Sequence, residues 1–232
     1  MRTILRPSGE QYFLKDAIRD LIVVIVGILA ALYLEAWWQD RQDRAEEALL
    51  LEGLRAEFVA NRSQLAEKIS VWSGVYDAAK TAQQFMGKPL AEVDSSIVVP
   101  TMLATQWMQF YDPRTGQLDS LISSGKLGLI QDTKLRAMIA DWPSLVEDLD
   151  IEREIALQAA TTGFVYRLME YISFPSENNA FEDRVDALLG DRRIFNDLMS
   201  TSGNMGRSIR EGEIILHASD EIIAMIDSEI ND

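Results

Sequence analysis

From Leu21 to Trp38 the chain reads LIVVIVGILAALYLEAWW, and Glu35 is the single charged side chain in those eighteen residues. A helix of that length, rising ~1.5 Å per residue, covers about 27 Å, close to the roughly 30 Å hydrocarbon layer of a bilayer. Past Trp38 the pattern changes. Leu51, Leu54, Phe58, Leu65, Ile69, Trp72, Tyr76, Ala79, Ala82 and Met86 recur at steps of three and four. That spacing predicts one apolar face of a helix rather than a strand alternation. No proline stands between Gln11 and Lys88, so a single helix is expected from the apolar run to about residue 86, with Gly87 and Pro89 as its stop. Asn61 falls in a slot where the face calls for an apolar residue. It is either a register-setting polar group in a coiled coil or a sign that the helix packs in an intrachain bundle.

The rest of the chain also reads as helices. Residues 87–100 are expected to be a connector, with Pro100 opening a short helix to about Tyr111. A second short helix is expected over Gln117–Ser124, closed by Gly125 as a left-handed cap. After a tight KLGLI turn, Asp132 or Thr133 caps a longer helix. Leu135, Ile139, Trp142, Leu149, Ile155 and Leu168 carry its apolar face to about Ile172, and Pro143 is expected to kink or split it. One or two short helices joined at Gly190-Asp191 follow. A last helix is expected from about Asn204, with Ile209, Leu216, Ile222 or Ile223, Ile226 and Ile230 on its buried side. The sequence therefore predicts an all-α protein. Its organisation is a short tail (1–20), a transmembrane helix (21–38), a stalk or first bundle helix (39–86) and an antiparallel helical bundle (87–232).

The apolar run has two readings. Its uncharged core, Leu21–Leu34, is fourteen residues long, a length that also suits a cleaved signal peptide. Retention is favoured because no small-x-small cleavage site follows it and because Glu10, Asp16 and Asp20 dilute the basic leader. Leu21, Gly27, Ala31, Tyr33, Trp37 and Trp38 are the expected anchor residues, the last three as an interfacial aromatic belt. Gly27 and Ala31 have the small-xxx-small spacing that permits close helix approach. Glu35 is either solvated at the interface or in contact with a partner span. Arg2, Arg6, Lys15 and Arg19 precede the run and Arg41, Arg44 and Arg55 follow it. This bias points to an inner-membrane protein with its N-terminus inside and its C-terminal domain in the periplasm.

Charge narrows the partners. The chain has 22 basic and 37 acidic side chains, a net charge of −15. Arg2, Arg6, Lys15 and Arg19 against Glu10, Asp16 and Asp20 give residues 1–20 a charge of +1, which leaves −16 on the remainder. Such a surface repels phosphate backbones, so nucleic-acid binding is not expected. With no cysteine, disulfides, thiol nucleophiles and cysteine-bound zinc are excluded. His217 is the only histidine. Asp148, Asp150, Glu152 and Glu154 alternate along a helix and so spread around it; a solvated face is expected. The glycines at 124–128 and 202–206 lack the strand and GK[ST] context of a phosphate loop. No nucleophile elbow or HExxH zinc motif occurs. No catalytic, cofactor-binding or metal residue is therefore assigned. Trp72, Trp107 and Trp142 either fill the bundle core or, with Glu35, offer contacts to a partner.

VIVGILAALYLEAWWQDR and, farther on, QLDSLISSGKLGLIQDTKLRAMIADW together resemble an uncharacterised bacterial family of single-span membrane proteins, a domain of unknown function. The matching positions are Gly27, Trp37, Leu121, Ser124, Gly125, Leu127, Leu129, Ile130 and Leu135, and the resemblance covers most of residues 12–172. It implies a membrane span and a helical domain in which Ser124 and Gly125 form a structural turn. It implies no activity. The expected function is a membrane-anchored interaction or scaffold protein, an accessory subunit docking on another envelope protein or on a second copy. The alternative is a membrane-anchored sensory or ligand-binding bundle; an enzyme with a carboxylate site is a third, weaker reading.

Overall fold

A computed structural model describes residues 9–107, 109–159, 163–174 and 182–231. The chain is all-α, and no strand occurs among the described residues. Helix α1 is a single element, Gly9–Phe85. It is followed by α2 (Ser95–Ala104), α3 (Gly116–Ser123), α4 (Thr133–Ala159), α5 (Val165–Met169), α6 (Val185–Leu189) and α7 (Arg192–Asn231). The chain divides into two compact units, Met1–Leu49 and Leu50–Asp232. In the first, every described side chain from Ile18 to Arg41 is exposed.

The second unit is built on the apolar face of α1 that the spacing predicts. Leu51, Leu54, Phe58, Leu65, Trp72, Ala79 and Ala82 are buried. α7 runs antiparallel to it. Arg55 pairs with Asp227, and Arg62, seven residues on, pairs with Asp220, seven residues back, at 2.6 Å. Continuing in the same sense, Tyr76 lies against Gly206, and Ile69 and Trp72 lie against Gly212. A seven-residue repeat keeps the same faces together along two helices. The Asp227 carboxylate draws the Arg55 guanidinium up and is itself drawn down by the bond. Both pairs are largely solvated, so they set register more than stability.

Gly212 sets how closely the two helices approach. A Cβ built there stands 3.0 Å from Cζ3 of Trp72 and 3.1 Å from Cγ1 of Ile69. Trp72 cannot yield, because its Nε1–H donates to the Gln109 carbonyl at 2.8 Å. Gly212→Ala gains about 0.5–1 kcal/mol of helix propensity but overpacks the seam by about 1–3 kcal/mol. A net loss of about 1 kcal/mol is expected, read as a lower urea midpoint with an unchanged slope.

α4 also packs antiparallel on α7, with Nε1 of Trp142 donating to Ser219 at 3.3 Å and Arg207 to Glu152 at 2.7 Å. Leu118, Leu121, Ile130, Leu135, Ile139 and Trp142 complete the larger core. A second cluster gathers Ala82, Val98, Met102, Leu168, Leu188 and Ile194, from α1, α2, α5, α6 and α7.

Several boundaries differ from the sequence expectation. α2 starts at Ser95, not Pro100, and ends at Ala104, well short of Tyr111. Asp94 is the reason: it accepts from the Ser96 amide at 3.0 Å and caps the helix five residues ahead of the proline. α4 is one element through Pro143. Pro143 is exposed while Ile139 and Trp142 are buried, so packing on α7 carries the helix across the lost backbone bond. α4 is described to Ala159 and α5 is described from Val165 to Met169; the expected continuation to about Ile172 and the expected end at Phe174-Pro175 lie partly outside the described residues.

α7 begins at Arg192, twelve residues ahead of Asn204, because Asp191 accepts from the Arg193 amide at 2.7 Å. On its buried side Ile215, Ile222 and Ile226 are central, Ile209 and Leu216 are half-buried, and Ile230 is exposed. The Arg193 guanidinium, and then the Tyr171 hydroxyl, hold the Asp191 carboxyl well below the usual carboxylate range. A depressed folded-state value means that this stabilisation is complete above the unfolded value near ~3.9 and fades as pH falls through the lower folded one. Asp191→Asn is therefore expected to lose less stability than the native chain between neutral pH and about pH 3, as measured by urea unfolding at both.

Candidate functional site

Three places in the described structure bear on function. The first is the apolar part of α1. One helix of the described chain is long and apolar enough to cross a membrane; its most apolar 18-residue window has a mean hydropathy of 2.2 and is 0% buried. Leu21, Gly27, Ala31, Tyr33, Trp37 and Trp38 are all exposed on it, and among the described residues nothing beyond the helix's own adjacent backbone comes within 4 Å of a Cβ built on Gly27. Glu35 is exposed too. The structure thus brings the expected anchor residues together on one helix without covering them.

The second place is an open hollow of about 460 Å³ at the end of α2, lined by Pro100, Leu103, Ala104, Gln106, Trp107 and Phe174. The local sequence explains it. Thr105 ends α2 by donating its hydroxyl to the Met102 carbonyl at 2.6 Å. Gln106 then donates to Thr105 Oγ1 at 2.7 Å. The chain leaves the helix there, and Trp107 is turned out, 68% exposed. A tryptophan this exposed beside an apolar hollow is the kind of anchor that protein interfaces use.

The other two tryptophans offered as partner contacts belong to the core instead. Trp72 is 4% exposed and Trp142 1%. Trp142 stands edge-on to Phe58, with ring centroids 5.2 Å apart. Each has both an apolar pocket and a partner for its indole N–H, which is why burial is favourable.

The third place is a small, partly open hollow of about 20 Å³ bordered by Trp72, Tyr111, Leu149, Arg153, Met205 and Ser208. The Tyr111 hydroxyl has no hydrogen-bond partner among the described residues. Burial pushes its ionisation well above the ordinary tyrosine value, so it stays a neutral donor. The volume is that of a single water.

Ser124 and Gly125 form the structural turn expected of them. Gly125 takes φ 71°, the left-handed conformation that glycine adopts at no steric cost, and Ile130 behind it is fully buried. Of the two residues that position this segment, the sequence singled out Asn61 but not its partner, and Glu57 went unread. Asn61, buried on α1, donates to the Arg114 carbonyl at 2.7 Å and accepts from the Arg114 amide at 2.8 Å. One turn earlier, Glu57 accepts from the amides of Gln117 and Leu118 at 2.8 and 3.1 Å, closing the open N-terminus of α3. Asn61 thus follows the intrachain-bundle reading rather than the coiled-coil one. It is the bracket for the loop entering α3. The signal available was Glu57 and Asn61 four apart on one face.

The acidic run does not converge. Asp150 pairs with Arg153 at 3.4 Å and Glu152 turns to Arg207, while Asp148 and Glu154 are exposed. His217 is exposed on α7. Among the described residues no three or more histidine, cysteine or acidic side chains are grouped to hold a metal. Set against protein-family models, curated proteins and solved structures, the chain matches none of them.

Proposed function

We propose that this chain is a single-pass, membrane-anchored helical scaffold that docks on another protein of the bacterial envelope. The observation that carries the reading is the bare apolar helix. Some twenty consecutive side chains, most of them Leu, Ile, Val or Ala, face outward on α1 with nothing of the protein over them. Water does not tolerate a contiguous apolar surface of that size on an isolated protein, whereas a bilayer does. The aromatic belt at Tyr33, Trp37 and Trp38 supports the same reading. Membrane lipid is then one partner. The outward Trp107 beside its apolar hollow supports a second, a protein or another copy of this chain. The role proposed is binding rather than catalysis, with the domain that begins at Leu50 in the periplasm of a bacterial inner membrane. Membership of the single-span family of unknown function belongs to this proposal as well.

The test is a photo-crosslinking residue at position 107 of the full chain in its native membrane, with position 217 as an exposed control. Recovery of the same adduct from 107 in repeated preparations, and none from 217, is expected. Lone monomer from both would overturn the docking role. A reporter active on only one side of the membrane, fused at Asp232, tests the periplasmic placement.

A further inference from the structure

We propose that Trp37 and Arg41 form a clamp for the phosphodiester group of a membrane phospholipid, an inference that rests on the membrane reading above. The two residues are one turn apart on α1, and the guanidinium carbon of Arg41 lies 5.7 Å from the centre of the Trp37 ring. At that distance the cation lies within reach of the indole's ring quadrupole, and the exposed guanidinium keeps its N–H donors for an anion.

The neighbouring charges are engaged elsewhere. Arg44 pairs with Asp40 at 3.2 Å, and Asp43 accepts from Gln39 at 3.0 Å. Arg41 is exposed, with no carboxylate partner among the described residues. A planar fork of donors of this kind matches two oxygens of one phosphate, a geometry that lysine cannot reproduce.

Depth along the helix agrees. Trp37 stands about 24 Å of helix beyond Leu21 and Arg41 about 6 Å further, which carries the guanidinium from the edge of a ~30 Å hydrocarbon layer to headgroup level. The indole fits the boundary with its apolar body in and its N–H out. The strongly acidic remainder of the chain disfavours recognition through bulk positive charge, so a single directed contact to the phosphate is the mode the geometry allows.

Native mass spectrometry of the full chain in non-ionic detergent tests this. Dioleoyl-phosphatidylglycerol is added in one arm and a phosphate-free diglucosyl-diacylglycerol in the other. The native chain is expected to retain the phospholipid about tenfold more than the glycolipid, the size of one charge-assisted contact. Arg41→Gln abolishes that preference, Arg41→Lys restores part of it, and Arg44→Gln leaves it intact. Equal retention by the native chain and Arg41→Gln would overturn the clamp while leaving the anchor standing. Displacement of the lipid by millimolar inorganic phosphate would also overturn it, in favour of a free-anion site. A chain that needs no detergent and holds neither lipid would remove the membrane reading and the clamp together.

Discussion

Placing arginine at both Val24 and Ile28 is expected to move the protein from the carbonate-resistant membrane pellet to the supernatant. Each arginine near the centre of a spanning helix costs about 2.5–3.5 kcal/mol on insertion, so the pair costs about 5–7 kcal/mol, four or five powers of ten in the insertion equilibrium. Both side chains are exposed in the protein's own structure. The substitutions therefore disturb no internal packing, and a change in partition reports the lipid contact alone. Circular dichroism of the released variant should keep its strong helical signal, because the buried core begins at Leu51. A double variant that stayed in the pellet after carbonate extraction would contradict the spanning helix.

Trp142→Ala is expected to be the most damaging single substitution in the second unit. The side chain is 1% exposed, edge-on to Phe58, and its indole N–H reaches Ser219. Truncation forfeits burial and leaves a cavity, about 3–5 kcal/mol for a tryptophan. In a domain of this size that lowers Tm by about 10 °C. Ser219 keeps a partner in the Ile215 carbonyl at 2.8 Å, so no orphaned hydroxyl adds to the loss. Trp107→Ala is the matched control and should shift stability by no more than about 0.5 kcal/mol, as at other exposed positions. Thermal unfolding of the two variants side by side separates a core tryptophan from a surface one; equal losses would contradict the burial pattern.

The helical character, the long first helix and the Gly125 turn were legible in the sequence because each has a local cause: a 3.6-residue period, an absence of proline, a glycine after an apolar turn. The helix starts at Ser95 and Arg192 were legible in principle, since Asp94 and Asp191 are ordinary caps, but Pro100 and the glycines near 203 drew the boundaries away from them. Pro143 shows the opposite case, a local breaker overruled by what packs on either side of it. The three bundle tryptophans share one residue type and diverge in fate. Trp72 and Trp142 fall on the three-and-four spacing of long helices and are buried; Trp107 follows a helix end and is not. The bracket of Glu57 and Asn61 around residues 114–118 joins positions more than fifty apart. No periodicity encodes such a contact, because it depends on which loop passes over which helix.

The antiparallel seam also sets an order of events at the ribosome. Arg55 is separated from Asp227 by 172 residues. At roughly 5–20 residues per second, on the order of 10–35 s passes between the synthesis of one and of the other. Throughout that interval the face of α1 bearing Leu51, Leu54 and Phe58 is without the helix that finally covers it. The nascent chain in that window is a natural client for chaperones, and slowing translation over the last forty codons should raise the yield of aggregate rather than of native protein.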